Sequence, residues 1–313
     1  MEQKLLVDYQ KILTDIRYYE LMANVFKNPQ CEPAFIDYLH KLETKFRKEQ
    51  PHLVDRKLIP YTIAKQIENN GHRTRHDYPM QTYQTQADLG GLVRWVDRCS
   101  TKGGILMTPA IKGVNVELIY QGGMLHKVVN MGDGLEGKDI TINMYSVSGV
   151  PQQISELERV NIHGVVTMAT VDVMEFNKMV TATVEMTTVQ TLMSALPPIS
   201  NATAIEALQF IPYMVNIPGT VFNLMDLRAI LLSWDFMVPD AWVIKGTTRE
   251  FGEFDEVITE FTNKRLKSLI YPTEGITFQV NDTHDRLTLG HTSRWPEWAL
   301  KYIIGKPNVE ADC

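Results

Sequence analysis

The sequence predicts an α+β chain, with a small helical part followed by a sheet-rich unit built on a strongly twisted antiparallel core. Three observations predict it. Apolar residues recur at helical spacing through residues 4–50, and from Gly104 onward the pattern switches to strand-like alternation. Residues 118–144, LIYQGGMLHKVVNMGDGLEGKDITINM, read as two strands about a tight Gly122-Gly123 turn, closing on a glycine-punctuated loop, Gly132-Asp133-Gly134 to Gly137.

The helical part is a hairpin. Leu5, Tyr9, Ile12, Ile16 and Tyr19 share one face, and Ile36, Leu39, Leu42 and Phe46 share another. Two prolines in NPQCEP separate the helices, and the second stops before Pro51. A domain boundary is expected near residue 70, giving units 1–70 and 71–313. ADLGGLVRWVDR reads as a short helix weakened by Gly90-Gly91. ILMTPAIKGVNVELIY reads as a strand broken at Pro109, then a stretch in which Val114, Val116 and Leu118 face one way. Further strands are expected at 127–130, 160–168, in FIPYMVNI and in ITFQVND. Helices are expected in VDVMEFNKMV, opened by Asp172, after an Asn201 N-cap, in LMDLRAILLSWDF, in DEVITEFTNKRLKSL and around Trp298-Ala299-Leu300. Asn281, Asp282 and Asp285 read as turn formers.

Composition excludes several classes. The 313 residues are 44% hydrophobic and 22% charged, ordinary for a globular protein, and hold no continuous apolar run of membrane-spanning length. MEQKLLVDYQ lacks the layout of a signal peptide. Cys31, Cys99 and Cys313 have no ligand spacing and an odd count, which points away from a disulfide framework or zinc site and toward a reducing cytoplasm. A net charge of −6 does not suit a protein that grips DNA unaided. The clusters Lys45, Arg47, Lys48 and His72, Arg73, Arg75, His76 read as solvated faces. His126, His163 and His284 lie on separate segments without metal-ligand spacing and read as structural.

A family resemblance rests on ordered motifs. KSLIYPTEGITFQVND and LGHTSRWPEWALKY resemble the end of the adenylation domain of bacterial-type NAD-dependent DNA ligases. GGMLHKVVNMGDGLEGKDITINMYSVSGVPQQI resembles its middle, and VNIHGVVTM with FNK the next strand and helix. Tyr18-Tyr19, Asp37, PHL at 51–53 and YPM at 78–80 look similar to the family's small helical domain. The resemblance implies a DNA-ligase-like nucleotidyltransferase fold with an ATP-grasp-like antiparallel sheet. It also implies a lysine that attacks the α-phosphorus of NAD and carries AMP to a DNA 5′-phosphate.

Carried over position by position, the motifs keep their backbone and lose their charge. The nucleophilic lysine falls on Ala110 and the motif's aspartate on Lys112. Met131 stands before Gly132-Asp133-Gly134 in place of an arginine, and the Arg-Gly-Glu strand reads His163-Gly164-Val165. Asp-Gly-x-Val-x-Lys reads Glu274 to Gln279, the closing lysine falls on Ile303, and the helical domain's Tyr and first Asp fall near Ile36 and Pro33. Gly113, Gly132, Gly134, Gly164, Gly275 and Pro151 are retained.

That division implies a pseudoenzyme. Three readings follow. Lys112, one strand step from Ala110, is a candidate substitute nucleophile for an active ligase. A binding module for NAD or AMP has Asp133, Glu117, Glu274, Gln279, Asp37 and Tyr19 as candidate contacts, and no metal ligands. Asp133 has a plainer reading as the stabiliser of its own glycine turn. A protein–protein role, as a non-catalytic subunit or a viral factor on host machinery in the host cytoplasm, has Trp234, Trp242, Trp295 and Trp298 as candidate anchors, with Trp298 reading more plainly as core. The chain ends where the family continues into an oligonucleotide-binding barrel, zinc finger and helix-hairpin-helix modules, so DNA binding alone is expected to be weak.

Overall fold

The computed structural model describes residues 32–51, 71–99, 103–145, 147–172, 207–220, 222–245, 254–292 and 294–304, with positions 5, 8, 9, 11–13, 15, 16, 19, 20 and 23. The region of the expected domain boundary at 52–70, the helix beyond Asp172, TATVEMTTV and the Asn201 cap lie outside the described residues.

Helix α1 (Pro33–Glu49) opens on a proline, which lacks the amide hydrogen that a first helical turn cannot pair anyway. Its Leu39 and Glu43 are buried. Tyr9 from the preceding helical stretch donates to Glu43 Oε1 at 2.8 Å, and its ring stacks on Phe46 at 4.8 Å.

The rest is organised by sheets. A five-stranded sheet has the order β2-β11-β10-β3-β9, formed by β2 (Gln84–Gln86), β3 (Ile105–Ile111), β9 (Trp242–Ile244), β10 (Thr273–Val280) and β11 (Ala299–Ile303). A four-stranded sheet has the order β5-β4-β7-β8, from β4 (Val114–Gln121), β5 (Met124–Asn130), β7 (Val160–Met168) and β8 (Leu208–Asn216). A small ribbon pairs β1 (Arg73–Arg75) with β6 (Glu136–Lys138). Every pairing is antiparallel except β2 on β11. Helices α2 (Leu89–Cys99), α3 (Thr141–Met144), α4 (Leu224–Ser233), α5 (Phe254–Phe261), which runs on into a π-helical turn at Thr262–Leu266, and α6 (Thr283–Leu289) complete the described elements.

The opening stretch folds as its pattern predicts. Gly122 and Gly123 take φ of 60° and 75°, the left-handed pair that a two-residue hairpin turn requires, and they join β4 to β5. Val116, Leu118, Ile119 and Tyr120 are all buried, so β4 is covered on both faces.

Four expectations are corrected. Pro109 does not break its strand: it sits inside β3 opposite Ile276 of β10, while on the other side β9 reaches only Ile105 to Met107. The missing amide hydrogen therefore costs no ladder bond where no strand lies beside it. Ala299 to Ile303 is a strand, because pairing with β10 and β2 outweighs the helical propensity of Ala and Leu. Asp282 does more than form a turn: it caps α6, accepting from the Asp285 amide at 3.0 Å. Trp234 is a core residue whose indole donates to Ser155 Oγ at 3.0 Å, and Trp298 is core as its plainer reading expected. They offer no exposed anchor to a partner.

Candidate functional site

The two larger sheets both contribute residues to the lining of a cleft of about 500 Å³. Strand alternation decides which side chains enter it. Across β3, β10 and β11, register aligns Leu106 with Gln279 and Ala299, Thr108 with Thr277 and Lys301, and Ala110 with Gly275 and Ile303. Thr108, Ala110, Thr277, Gln279 and Lys301 line the cleft from this sheet, and Asn115, Val165 and Tyr213 line it from the other. Lys301 forms an ion pair with Glu274, which also lines the cleft. Arg228 of α4 lines it too, with its guanidinium donating to the Pro239 carbonyl.

Tyr83 divides the space. It lines this cleft and a second cavity, and so do Tyr213 and Leu227. The Tyr83 hydroxyl accepts from Gln279 Nε2 at 3.0 Å, and its ring meets Tyr213 edge-to-face at 6.3 Å. Burial pushes both phenols well above the ordinary tyrosine range, so both rings stay neutral.

Within the four-stranded sheet lies a buried ionic network. Glu117 of β4 is fully buried. His76 Nδ1 is 2.7 Å from Glu117 Oε2, and Asn161 Nδ2 donates to Glu117 Oε1 at 2.8 Å and to Asp77 Oδ2 at 3.0 Å. Arg159 pairs with Asp77 at 2.5 Å, and His163 Nε2 lies 3.5 Å from Glu117 Oε1. His76 Nε2 faces the Met131 carbonyl at 3.1 Å. Both His76 nitrogens thus face acceptors, so both carry hydrogen and the ring is an imidazolium. Burial opposes that charge, but the hydrogen bond and negative charge of Glu117 outweigh it and raise the His76 pKa. Burial likewise pushes the Glu117 carboxyl up, yet His163, His76 and Asn161 bring it down to about 2. The solvated-face reading of His76 is corrected: it is a buried cation that ties the segment before β2 to β4.

The structure brings together part of the residues singled out from sequence. Glu274, Gln279 and Ala110 meet in the cleft. Lys112 follows β3, where its amide donates to the Pro272 carbonyl at 2.8 Å and its carbonyl accepts from Thr167, and it is not among the cleft-lining residues. Glu117 sits in the ionic network, away from the cleft lining. Asp133 Oδ1 accepts from the amides of Leu135 and Glu136 at 2.9 and 2.8 Å, an Asx turn that engages this oxygen in its own loop. Asp37 is exposed on α1, and Tyr19 packs edge-on against Phe35 at 4.7 Å. Sequence reasoning missed Lys301, Tyr83 and Tyr213. Lys301 was findable, because it lies two residues before Ile303 and so on the same face of one strand.

Among the described residues, no group of three or more His, Cys, Asp or Glu is placed to hold a metal ion. No helix there is long and apolar enough to cross a membrane.

The family model described as NAD-dependent DNA ligase adenylation domain matches residues 68–304, well over half of the chain. The chain belongs to this family. It is 23% identical over 296 residues to a DNA ligase of Leptospira interrogans, covering 93% of this chain and 43% of the relative. It is also 23% identical over 319 residues to a DNA ligase of Fervidobacterium nodosum, covering 96% of this chain and 45% of the relative. The chain thus spans less than half the length of these curated relatives. Among solved structures, a mutant RNA ligase of Naegleria gruberi with ATP and Mn matches with TM-score 0.41 and 10% identity, over 78% of this chain and 61% of that one. An archaeal ATP-dependent RNA ligase matches with TM-score 0.40 and 10% identity, over 74% and 50%.

Against the nucleotide that this adenylation-domain family is named for, the cleft is a partial fit. Its volume and its Tyr213, Thr108 and Thr277 lining suit a planar, nucleoside-sized group. The diphosphate of NAD does not fit the donor set. Among the described residues, the cationic side chains lining the cleft are Lys301, already paired with Glu274, and Arg228, already bonded to the Pro239 carbonyl. Two phosphate charges in such a site lack the free cations that would stabilise them.

Proposed function

We propose that this chain is a catalytically degenerate adenylation domain that keeps a nucleoside-sized cleft and acts by binding, without nucleotidyl transfer. The observation that carries the reading is Ala110, which lines the cleft and presents no nucleophile where the family resemblance expects a lysine; its register partners Gly275 and Ile303 carry none either. The adjacent Lys301 is engaged in an ion pair with Glu274. Incubation with radiolabelled NAD or ATP and magnesium is expected to leave no covalent AMP on the protein. An adduct abolished by Lys112→Ala or Lys301→Ala makes the chain an active nucleotidyltransferase and overturns the proposal.

The donor set gives a second expectation. In calorimetry, adenosine binds at least as tightly as NAD, because the diphosphate contributes no favourable contact. NAD binding roughly tenfold tighter than adenosine, a difference of about 1.4 kcal/mol, contradicts this.

The output of such a domain is a protein contact, with the net charge of −6 disfavouring DNA as the partner. A cytoplasmic location, a helical unit ending near residue 70 and a viral origin with host machinery as target belong to the same proposal. The chain used as bait at micromolar concentration retains a specific protein from host lysate, and retention of none counts against it.

A further inference from the structure

Beyond the cleft, across Tyr83 and Tyr213, lies a second cavity of about 660 Å³. Its charge is one-sided. Arg286, His163 and His291 line it, and no aspartate or glutamate among the described residues does. Arg286 is 8% exposed, and among the described residues no carboxylate pairs with it. One guanidinium nitrogen donates to the Phe222 carbonyl at 2.7 Å and to Thr283 Oγ1 at 2.8 Å. Its Nε is buried without a partner. The guanidinium carbon stands 5.4 Å from the centre of the Trp298 ring.

A buried cation without a counter-ion is costly, and a guanidinium fork is shaped for an oxyanion. Burial lowers the Arg286 pKa, with Tyr83 and Asp282 acting in opposition. Neither histidine can serve as a counter-ion, because an imidazole is neutral or cationic. His291 Nδ1 is bonded to Gln81 Oε1 at 2.7 Å, and His163 is directed to Glu117. The remaining wall is aromatic, with Tyr83, Tyr213 and Trp298 offering ring faces and edges. Cavities of this size take small organic ligands whose orientation is fixed by a few polar groups.

We propose that this cavity is a binding site for a small carboxylate that bears a planar aromatic ring, its ring packed among Tyr83, Tyr213 and Trp298 and its acid group paired with Arg286. The site adjoins the nucleotide cleft, sharing Tyr83 and Tyr213 with it, and does not depend on the degenerate-enzyme reading. Carboxylate and phosphate share the oxyanion chemistry, and the arms of the test distinguish them.

The probe pair is indole-3-acetate and its neutral analogue indole-3-acetamide, titrated calorimetrically into the full chain. The acid is expected to bind at least roughly tenfold more tightly than the amide, as a charge-assisted hydrogen bond from the guanidinium requires. Arg286→Gln brings the acid down to the affinity of the amide and leaves amide binding unchanged, which also certifies that the variant is folded. Inorganic phosphate competes only weakly, because it has no ring. Equal binding of acid and amide to the unmodified chain overturns the site without recourse to any variant. So does acid binding that survives Arg286→Gln, displacement by inorganic phosphate at the concentration effective for the acid, or no binding of either indole in the millimolar range.

Discussion

Glu117→Ala is expected to destabilise the fold by about 3–5 kcal/mol, the cost of leaving a buried ionic partner uncompensated. The substitution strands the His76 imidazolium, removes an acceptor of Asn161 and leaves His163 facing a void. Set against a domain stability of roughly 5–15 kcal/mol, this is about a fifth of the total or more. Thermal denaturation followed by circular dichroism is expected to show a midpoint roughly 10 °C lower. A change within about two degrees would mean that the network contributes little net stability.

The same pair sets a pH window. The folded Glu117 pKa of about 2 lies below its ordinary 4.5, so its contribution is complete above 4.5 and is lost as pH falls toward 2. The His76 pKa is raised above its ordinary 6.5, so its contribution is complete below 6.5 and is lost as pH rises through the raised value. The pair therefore stabilises most between 4.5 and 6.5. Urea midpoints measured across pH are expected to peak there in the unmodified chain and to flatten in Glu117→Ala. Parallel profiles for the two proteins would assign the pH dependence to other groups.

Gly132→Ala is the second large effect. Gly132 has φ of +55°, and a Cβ there would sit 1.9 Å from the Glu136 carbonyl oxygen, a backbone atom that cannot turn aside. Left-handed backbone alone costs about 1–2 kcal/mol for alanine. Displacing the loop brings the total to about 2–4 kcal/mol. The damage should travel. The His76 amide donates to the Leu135 carbonyl and the Met80 amide to the Gly134 carbonyl, both at 2.9 Å. Gln81, Thr82 and Tyr83 of the cleft follow directly on Met80. Hydrogen exchange in residues 72–83 is expected to accelerate in this variant, whereas unchanged protection there would confine the glycine's role to its own loop.

These effects show what the sequence could and could not disclose. The hairpin of β4 and β5 was legible because Gly-Gly at a two-residue turn has one efficient use. The cleft strands β3 and β10 were legible through alternation and through ordered motifs. Ala299 to Ile303 misread as helix because its strand character comes from neighbours far away in the chain, Phe278 and Thr277 on one side and Thr85 on the other. Glu117 and His76 could be seen as charges, but not as partners, because 41 positions separate them and only the fold brings them to 2.7 Å. Arg286 was hidden for the same reason: a lone arginine in a short polar helix reads as a solvent-facing residue until Trp298 and Phe222 are placed around it.

The position of β11 between β2 and β10 has a consequence for biosynthesis. Residues 84–86 emerge from the ribosome early, yet their strand partner is residues 300–302. Until that last strand appears, β10 has one open edge and β2 has no neighbour, and the wall that carries Lys301 does not exist. The four-stranded sheet, with all its strands within residues 114–216, can assemble while the chain is still being made. The cleft is therefore a late product of folding, finished only when the two distant ends of the adenylation domain are stitched together.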